Sequence, residues 1–211
     1  MILKPYYEHA GITIYHGDCR EVLPTLAPVD LVLTDPPYGI KAAKRGAHSS
    51  IRDCDKWNES SWDDDRVVEA VVAAVAHSVD AVVWGGNYYA DALPPSSAWL
   101  AWVKPEAETG FSLADMELAW TSGDFAARVK RLPRRDGNLH PTQKPVALMH
   151  WCIGFFPGSQ TILDPFMGSG TTLRAAKDLG RRAIGIEIEE RYCEIAANRL
   201  RQEVLFPAES A

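Results

Sequence analysis

Asp35-Pro36-Pro37-Tyr38 places two hydrogen-bond acceptors and an aromatic ring within four residues. The apolar run Leu31-Val32-Leu33-Thr34 precedes it, so the tetrad falls where a buried strand meets its loop. Neither proline has a backbone N–H, and both have fixed φ. The result is a stiff corner with outward-facing carbonyls. Asp35 and the Pro36 carbonyl can each accept an N–H, and Tyr38 offers a face for stacking. That set suits a planar group carrying an amino substituent. Taken alone, the tetrad also fits a rigid turn with a capping Asp and a packing Tyr.

A second motif runs Thr161-Ile162-Leu163-Asp164-Pro165-Phe166-Met167-Gly168-Ser169-Gly170-Thr171-Thr172. It reads as strand, glycine turn and helix start. Glycine admits φ > 0 and close approach of backbone to a ligand, and a helix N-terminus favours an anionic group. A phosphate-binding P-loop requires Gly-Lys-Ser/Thr, and here Gly170 is followed by Thr171-Thr172. A dinucleotide fingerprint requires a third small residue, where this chain has Leu173. What remains is a loop for a nucleoside with a short carboxylate tail. The apolar run at residues 183–186 ends in Glu187, 19 residues beyond Gly168. An acid there can accept from both ribose hydroxyls, or it is a surface acid at a strand end.

These residues need a scaffold that gathers them. Seven short runs read as strands: residues 12–15, 31–34, 81–84, 99–104, 116–121, 161–163 and 183–186. Most are continuously apolar, as buried parallel strands are. Residues 65–77 read as a largely buried helix capped by Asp65. Helices are also expected at residues 145–155, 170–179 (closed by Gly180) and 189–203. Alternating strands and helices predict a mostly parallel sheet with helices on both faces, and such sheets bind ligands beyond the carboxyl ends of their strands. The 99–104 and 116–121 runs suggest an antiparallel pair at one edge. The chain has 211 residues, enough for one α/β domain. Residues 39–61 are polar and long enough to be a mobile or functional loop.

No apolar run approaches a membrane span, and the N-terminus lacks a signal-peptide core, so a cytoplasmic protein is expected. Cys19, Cys54, Cys152 and Cys193 have no metal-ligand spacing; reduced packing thiols and no metal site are expected. The net charge of −6 does not by itself suggest nucleic acid. Its distribution does more. Arg128, Lys130, Arg131, Arg134 and Arg135 place five cations in eight residues, and Lys41, Lys44, Arg45 and Arg52 form a second basic segment. These are phosphate contacts or solvated loops.

Together the motifs resemble the β group of S-adenosylmethionine-dependent DNA amino-methyltransferases. The matches are Asp35-Pro36-Pro37-Tyr38, the segment from Asp164 to Thr172, His140-Pro141-Thr142-Gln143-Lys144-Pro145 and Gly185-Ile186-Glu187. The catalytic motif precedes the cofactor motif, the permuted order of that group. The resemblance implies a Rossmann-like methyltransferase sandwich with a seven-stranded sheet in a single catalytic domain. It implies S-adenosylmethionine as cofactor and double-stranded DNA as partner. Asp35, Pro36, Pro37 and Tyr38 would be catalytic. Asp164, Phe166, Gly168, Gly170 and Thr171 would line the cofactor, Glu187 would hold its ribose, Asp18 would meet its adenine edge, and Thr142, Gln143 and Lys144 would close its methionine side. The basic residues would hold a distorted DNA backbone. Asp at position 35 leans toward adenine N6; cytosine N4 is the nearest alternative. Further alternatives are another substrate class, RNA or an amide nitrogen in protein, and a non-enzymatic module that binds cofactor or DNA without turnover. Only residues 121–139 separate the last central strand from the His140 motif. They form a short basic target-recognition segment rather than a domain. A homodimer could supply further contacts, and a cognate restriction endonuclease is a compatible partner.

Overall fold

The computed structural model describes residues 4–40, 65–104, 114–133 and 143–202. Its strands are β1 (Tyr7–His9), β2 (Ile12–His16), β3 (Val29–Thr34), β4 (Ser78–Trp84), β5 (Trp99–Val103), β6 (Met116–Thr121), β7 (Arg128–Arg131), β8 (Thr161–Asp164) and β9 (Arg182–Glu187). Its helices are α1 (Cys19–Val22), α2 (Val68–Ala76), α3 (Val146–Ile153), α4 (Thr171–Asp178) and α5 (Glu190–Arg201). All nine strands form one sheet in the order β1-β2-β9-β8-β3-β4-β6-β5-β7.

From β2 to β4 every neighbouring pair in that order is parallel. The carboxyl ends of β2, β9, β8, β3 and β4 therefore open on one edge. β6 runs antiparallel to β4, with Trp84 opposite Ala119. Its first residues, Met116 and Glu117, thus return to that same edge. The period-2 alternation of the strands separates two cores. Leu31 and Leu33 pack with Leu148, Met149, Leu173 and Leu200 from α3, α4 and α5. Val32 points the other way, with Val22, Ala70, Val71 and Ala74 from α1 and α2. Helices on both faces follow from central strands whose middle residues are apolar toward both sides, as Leu31, Val32 and Leu33 are.

Several sequence expectations need correction. The sheet has nine strands among the described residues, not seven. β1 is three residues of mostly exposed polar chain. β7 is the sequence Arg-Val-Lys-Arg, with Val129 66% exposed. Neither edge strand has a buried face to announce it. β7 also covers the outer side of the β5–β6 pair, which therefore is not the sheet edge. Helix α2 starts at Val68 with no side-chain cap. Asp65 does not cap it because the chain there is drawn to the corner: Arg66 bridges Tyr38 and pairs with Asp91 at 2.8 Å. Only one stripe of α2 is buried, namely Ala70, Val71 and Ala74, while Val72 faces solvent. Among the described residues, no helix is long and apolar enough to cross a membrane. Cys19, Cys152 and Cys193 are buried and unpaired, as packing thiols are.

Candidate active site

Asp35 leaves the end of β3, and the corner behind it is fixed from several sides. The Tyr38 hydroxyl donates to Asp35 Oδ1, and the Tyr89 hydroxyl donates to the Pro37 carbonyl. The Tyr38 ring stacks on Tyr88, with centroids 4.9 Å apart and planes 16° from parallel. Beneath it Gly85, just after β4, adopts φ +66°, and a Cβ there would lie 2.0 Å from Tyr38 Cε1. The glycine is needed for both its conformation and its missing side chain. Burial, reinforced by the nearby Asp35 carboxylate, pushes the Tyr38 phenol well above its ordinary value, so it stays a donor.

Behind Asp35 lies a chain of alternating charges. Lys144, immediately before α3, donates to Asp35 Oδ2 at 2.5 Å and pairs with Glu117 Oε2 at 3.0 Å. Lys104, which follows β5, pairs with Glu117 Oε1 at 2.5 Å. Lys144 and Lys104 are 4% and 5% exposed, so both cations depend on these partners. Burial works to raise Glu117, but Lys144 and Lys104 outweigh it and hold its carboxyl at about 2. Burial raises Asp35 above the usual carboxylate range, with Lys144 opposing.

The glycine loop forms the other wall. Asp164 ends β8, and its Oδ1 accepts from the Thr34 hydroxyl at 2.8 Å and the Phe166 N–H at 3.2 Å. Burial pushes its carboxyl up to about 7. Gly168 and Gly170 have φ of +49° and +77°. A Cβ on Gly170 would meet Ala196 of α5 at 2.8 Å, so the loop packs tightly against that helix. Gln143 Oε1 accepts from Ser169 Oγ and from Arg199 of α5, each at 3.0 Å, tying the segment before α3 to the loop. Glu187 ends β9. Its Oε2 accepts from the Gly168 N–H at 2.9 Å and its Oε1 from the Glu189 N–H at 2.8 Å. Burial raises it despite those bonds. Each oxygen keeps a further lone pair for a ligand hydroxyl.

One cavity of about 320 Å³ joins the two walls. Asp35, Pro37 and Lys144 line it on one side; Asp164, Phe166, Gly168, Thr171 and Glu187 line it on the other. Asp18 also reaches it, as the N-cap of α1. Its carboxylate is paired with Arg20, whose guanidinium holds it below the usual carboxylate range. The volume is that of a small-molecule site.

Arg128, Lys130 and Arg131 lie on β7, whose carboxyl end points to the same edge as β3, through the parallel β5–β7 and antiparallel β5–β6 and β6–β4 pairings. Lys41, Lys44, Arg45, Arg134, Arg135 and Thr142 lie outside the described residues. Sequence reasoning missed Glu117, Lys104, Tyr88 and Tyr89. Glu117 sits in a run read as an ordinary strand, and its partners are 13 and 27 residues away in sequence. The one available signal was an acid among apolar strand residues, flanked by a Lys at the end of the preceding strand.

A doubly wound sheet with acids at its strand ends and a glycine loop facing a rigid acidic corner defines a Rossmann-like group-transfer enzyme. The family model described as DNA methylase, covering the N6 and N4 methyltransferases, matches residues 86–198. This chain belongs to that family. The type II methyltransferase M.ScaI of Streptomyces caespitosus is 29% identical over 95% of this chain and 84% of its own length. The structure of the M1.HpyAVI–SAM complex superposes with a TM-score of 0.62 at 26% identity, covering 90% of this chain and all of the other. PvuII DNA methyltransferase (cytosine-N4-specific) shares the fold, with a TM-score of 0.67 at 16% identity over 97% of this chain and 91% of its own.

Proposed function

We propose that this chain methylates the exocyclic N6 of adenine in double-stranded DNA, using S-adenosylmethionine. The observation that carries the reading is that Asp35 and the glycine loop line one cavity. The residues present fit the cofactor. Glu187 would hold the ribose hydroxyls, Asp164 would meet an amino group, and Phe166, Gly168 and Thr171 line the cavity beside them, with Gly170 packed behind against Ala196. When bound, S-adenosylmethionine supplies an electrophilic methyl group on sulfur.

The protein's part is to prepare and orient the amine. An aryl amine is a weak nucleophile because its lone pair is delocalised into the ring. Asp35 accepts one N–H and the Pro36 carbonyl the other. Two acceptors away from the ring plane draw the nitrogen toward tetrahedral geometry and localise that pair. The proton released after transfer leaves through Asp35. The base stacks against the Tyr38 side of the corner, flipped from the duplex at a cost of about a few kcal/mol. The cations of β7 hold the distorted backbone, together with Lys41, Lys44, Arg45, Arg134 and Arg135. With a segment as short as 121–139, sequence recognition is brief or shared with residues 39–61 or a second copy.

Nucleoside mass spectrometry of treated, unmethylated DNA tests this. N6-methyladenine is expected. N4-methylcytosine would reassign the base, and neither product with cofactor bound would overturn the reading.

A further inference from the structure

Lys144, in the corner described above, is a buried cation that the proposed transfer does not use. Lys144 has three N–H donors, and three acceptors surround it: Asp35 Oδ2 at 2.5 Å, Glu117 Oε2 at 3.0 Å and the Tyr38 hydroxyl at 3.2 Å. All three donors are spent inside the protein. The ammonium also lies 5.6 Å from the Tyr38 ring centroid and 5.8 Å from that of the buried Trp84. A bond to the carboxylate of a cofactor would require one of those three to break. The sequence resemblance assigned Lys144 to the methionine end of the cofactor; in this structure its hydrogen bonds run to Asp35, Glu117 and Tyr38.

We propose that Lys144, braced by Glu117 and Lys104, is the positioning residue that aims Asp35 and keeps it an acceptor during methyl transfer. The inference rests on Asp35 being the acceptor for the amine. An acid in a corner stripped of water tends to protonate, and a protonated acid donates where an acceptor is needed. Lys144 opposes that. A cation paired with Asp35 alone would bind it too firmly to share with an incoming N–H. Glu117 divides the hold on Lys144, and Lys104 fixes Glu117 from the far side. Glu117 is thus a second positioning residue, acting through Lys144.

The groups facing Asp35 are Lys144 before α3, Glu117 on β6, Tyr38 on its own loop and Asp164 at the end of β8. Lys144 is faced by Asp35 and Glu117, with the Cys152 thiol of α3 beneath. Two of these act on Asp35 with opposite sign. Removing Lys144 raises the acid's affinity for its proton; removing the charge of Glu117 lowers it.

The test measures Asp35 directly. Protein labelled with 13C at aspartate carboxylates is titrated by NMR, and the Asp35 resonance is identified by its loss in D35N. In K144Q the Asp35 midpoint is expected to move up by roughly one pH unit or more, and in E117Q to move down. K144R should restore most of the shift. The acid limb of kcat for DNA methylation should move in the same directions, while the dissociation constant for S-adenosylmethionine stays within about threefold. E117Q keeps Lys144 in place, so its downward shift decides the matter if K144Q does not fold. Midpoints that fail to move, or that move the same way in both variants, would overturn the proposal. So would a K144Q defect confined to cofactor affinity. The titration needs no catalysis, so it separates failure of this inference from failure of the methylation reading, which the nucleoside analysis reports.

Discussion

Asp35 and Glu187 stand two strands apart on one edge of the same sheet, yet they are held by different means. Asp35 is held by side chains: a lysine 109 residues away and a tyrosine three residues on. Glu187 is held by backbone N–H groups from Gly168 and Glu189. A carboxylate on fixed amides is suited to passive recognition, because nothing near it needs to move or change charge. A carboxylate on a charged network can be tuned, because its proton affinity depends on groups that can be replaced one at a time. On the proposed function, the first kind stands where a ligand would be gripped and the second where an amine would be activated.

That contrast can be tested by damaging each wall separately. The largest effect is expected at the corner. In G85A a Cβ would enter the Tyr38 ring, at a position whose φ of +66° already disfavours a side chain. Displacing Tyr38 by about 1 Å should lower the methylation rate on the order of 100-fold. Thermal unfolding should show a loss of about 1–3 kcal/mol, while cofactor affinity measured by calorimetry changes little. A variant with full activity would show that the corner does not depend on its packing.

The opposite pattern is expected from E187Q. Its amide nitrogen cannot accept from an N–H, so the grip on Gly168 or Glu189 weakens. Cofactor affinity should fall about tenfold, equivalent to about 1.4 kcal/mol. The rate at saturating cofactor should stay near that of the parent. A loss of rate with unchanged affinity would erase the distinction between the walls.

A third expectation concerns Asp164, whose folded pKa of about 7 exceeds the usual carboxylate value. A raised folded pKa means that the folded state binds its proton more tightly than the unfolded chain does. The stabilisation is therefore complete below the unfolded pKa, near 4, and is lost as pH rises through about 7. Melting temperatures of the ligand-free protein between pH 4.5 and 8 should show this decline. In D164N that component should vanish. Identical profiles for the two proteins would exclude Asp164 as its source.

The two walls also differed in how far sequence could reveal them. The glycine loop and Glu187 were legible because their constraints are local: glycines in a strand-to-helix turn, and an acid one strand later. The five parallel central strands were legible for the same reason, since apolar runs such as Leu31-Val32-Leu33 are buried on both faces. The corner's tetrad was visible, but not what holds it. Lys144 was seen as a motif residue without its bond to Asp35, and Glu117 was hidden in a strand pattern. Pairing between distant side chains leaves no periodic trace. Edge strand β7 was missed because its residues are exposed and charged, which is also the pattern of a loop.

Asp35 itself offers the most direct test of the whole account. D35A should be combined with saturating cofactor and duplex DNA, and methyl transfer followed in a single turnover by rapid quench. DNA and cofactor are expected to bind within a few-fold of the parent while transfer slows by at least about 1,000-fold. Transfer at the parent rate would contradict it.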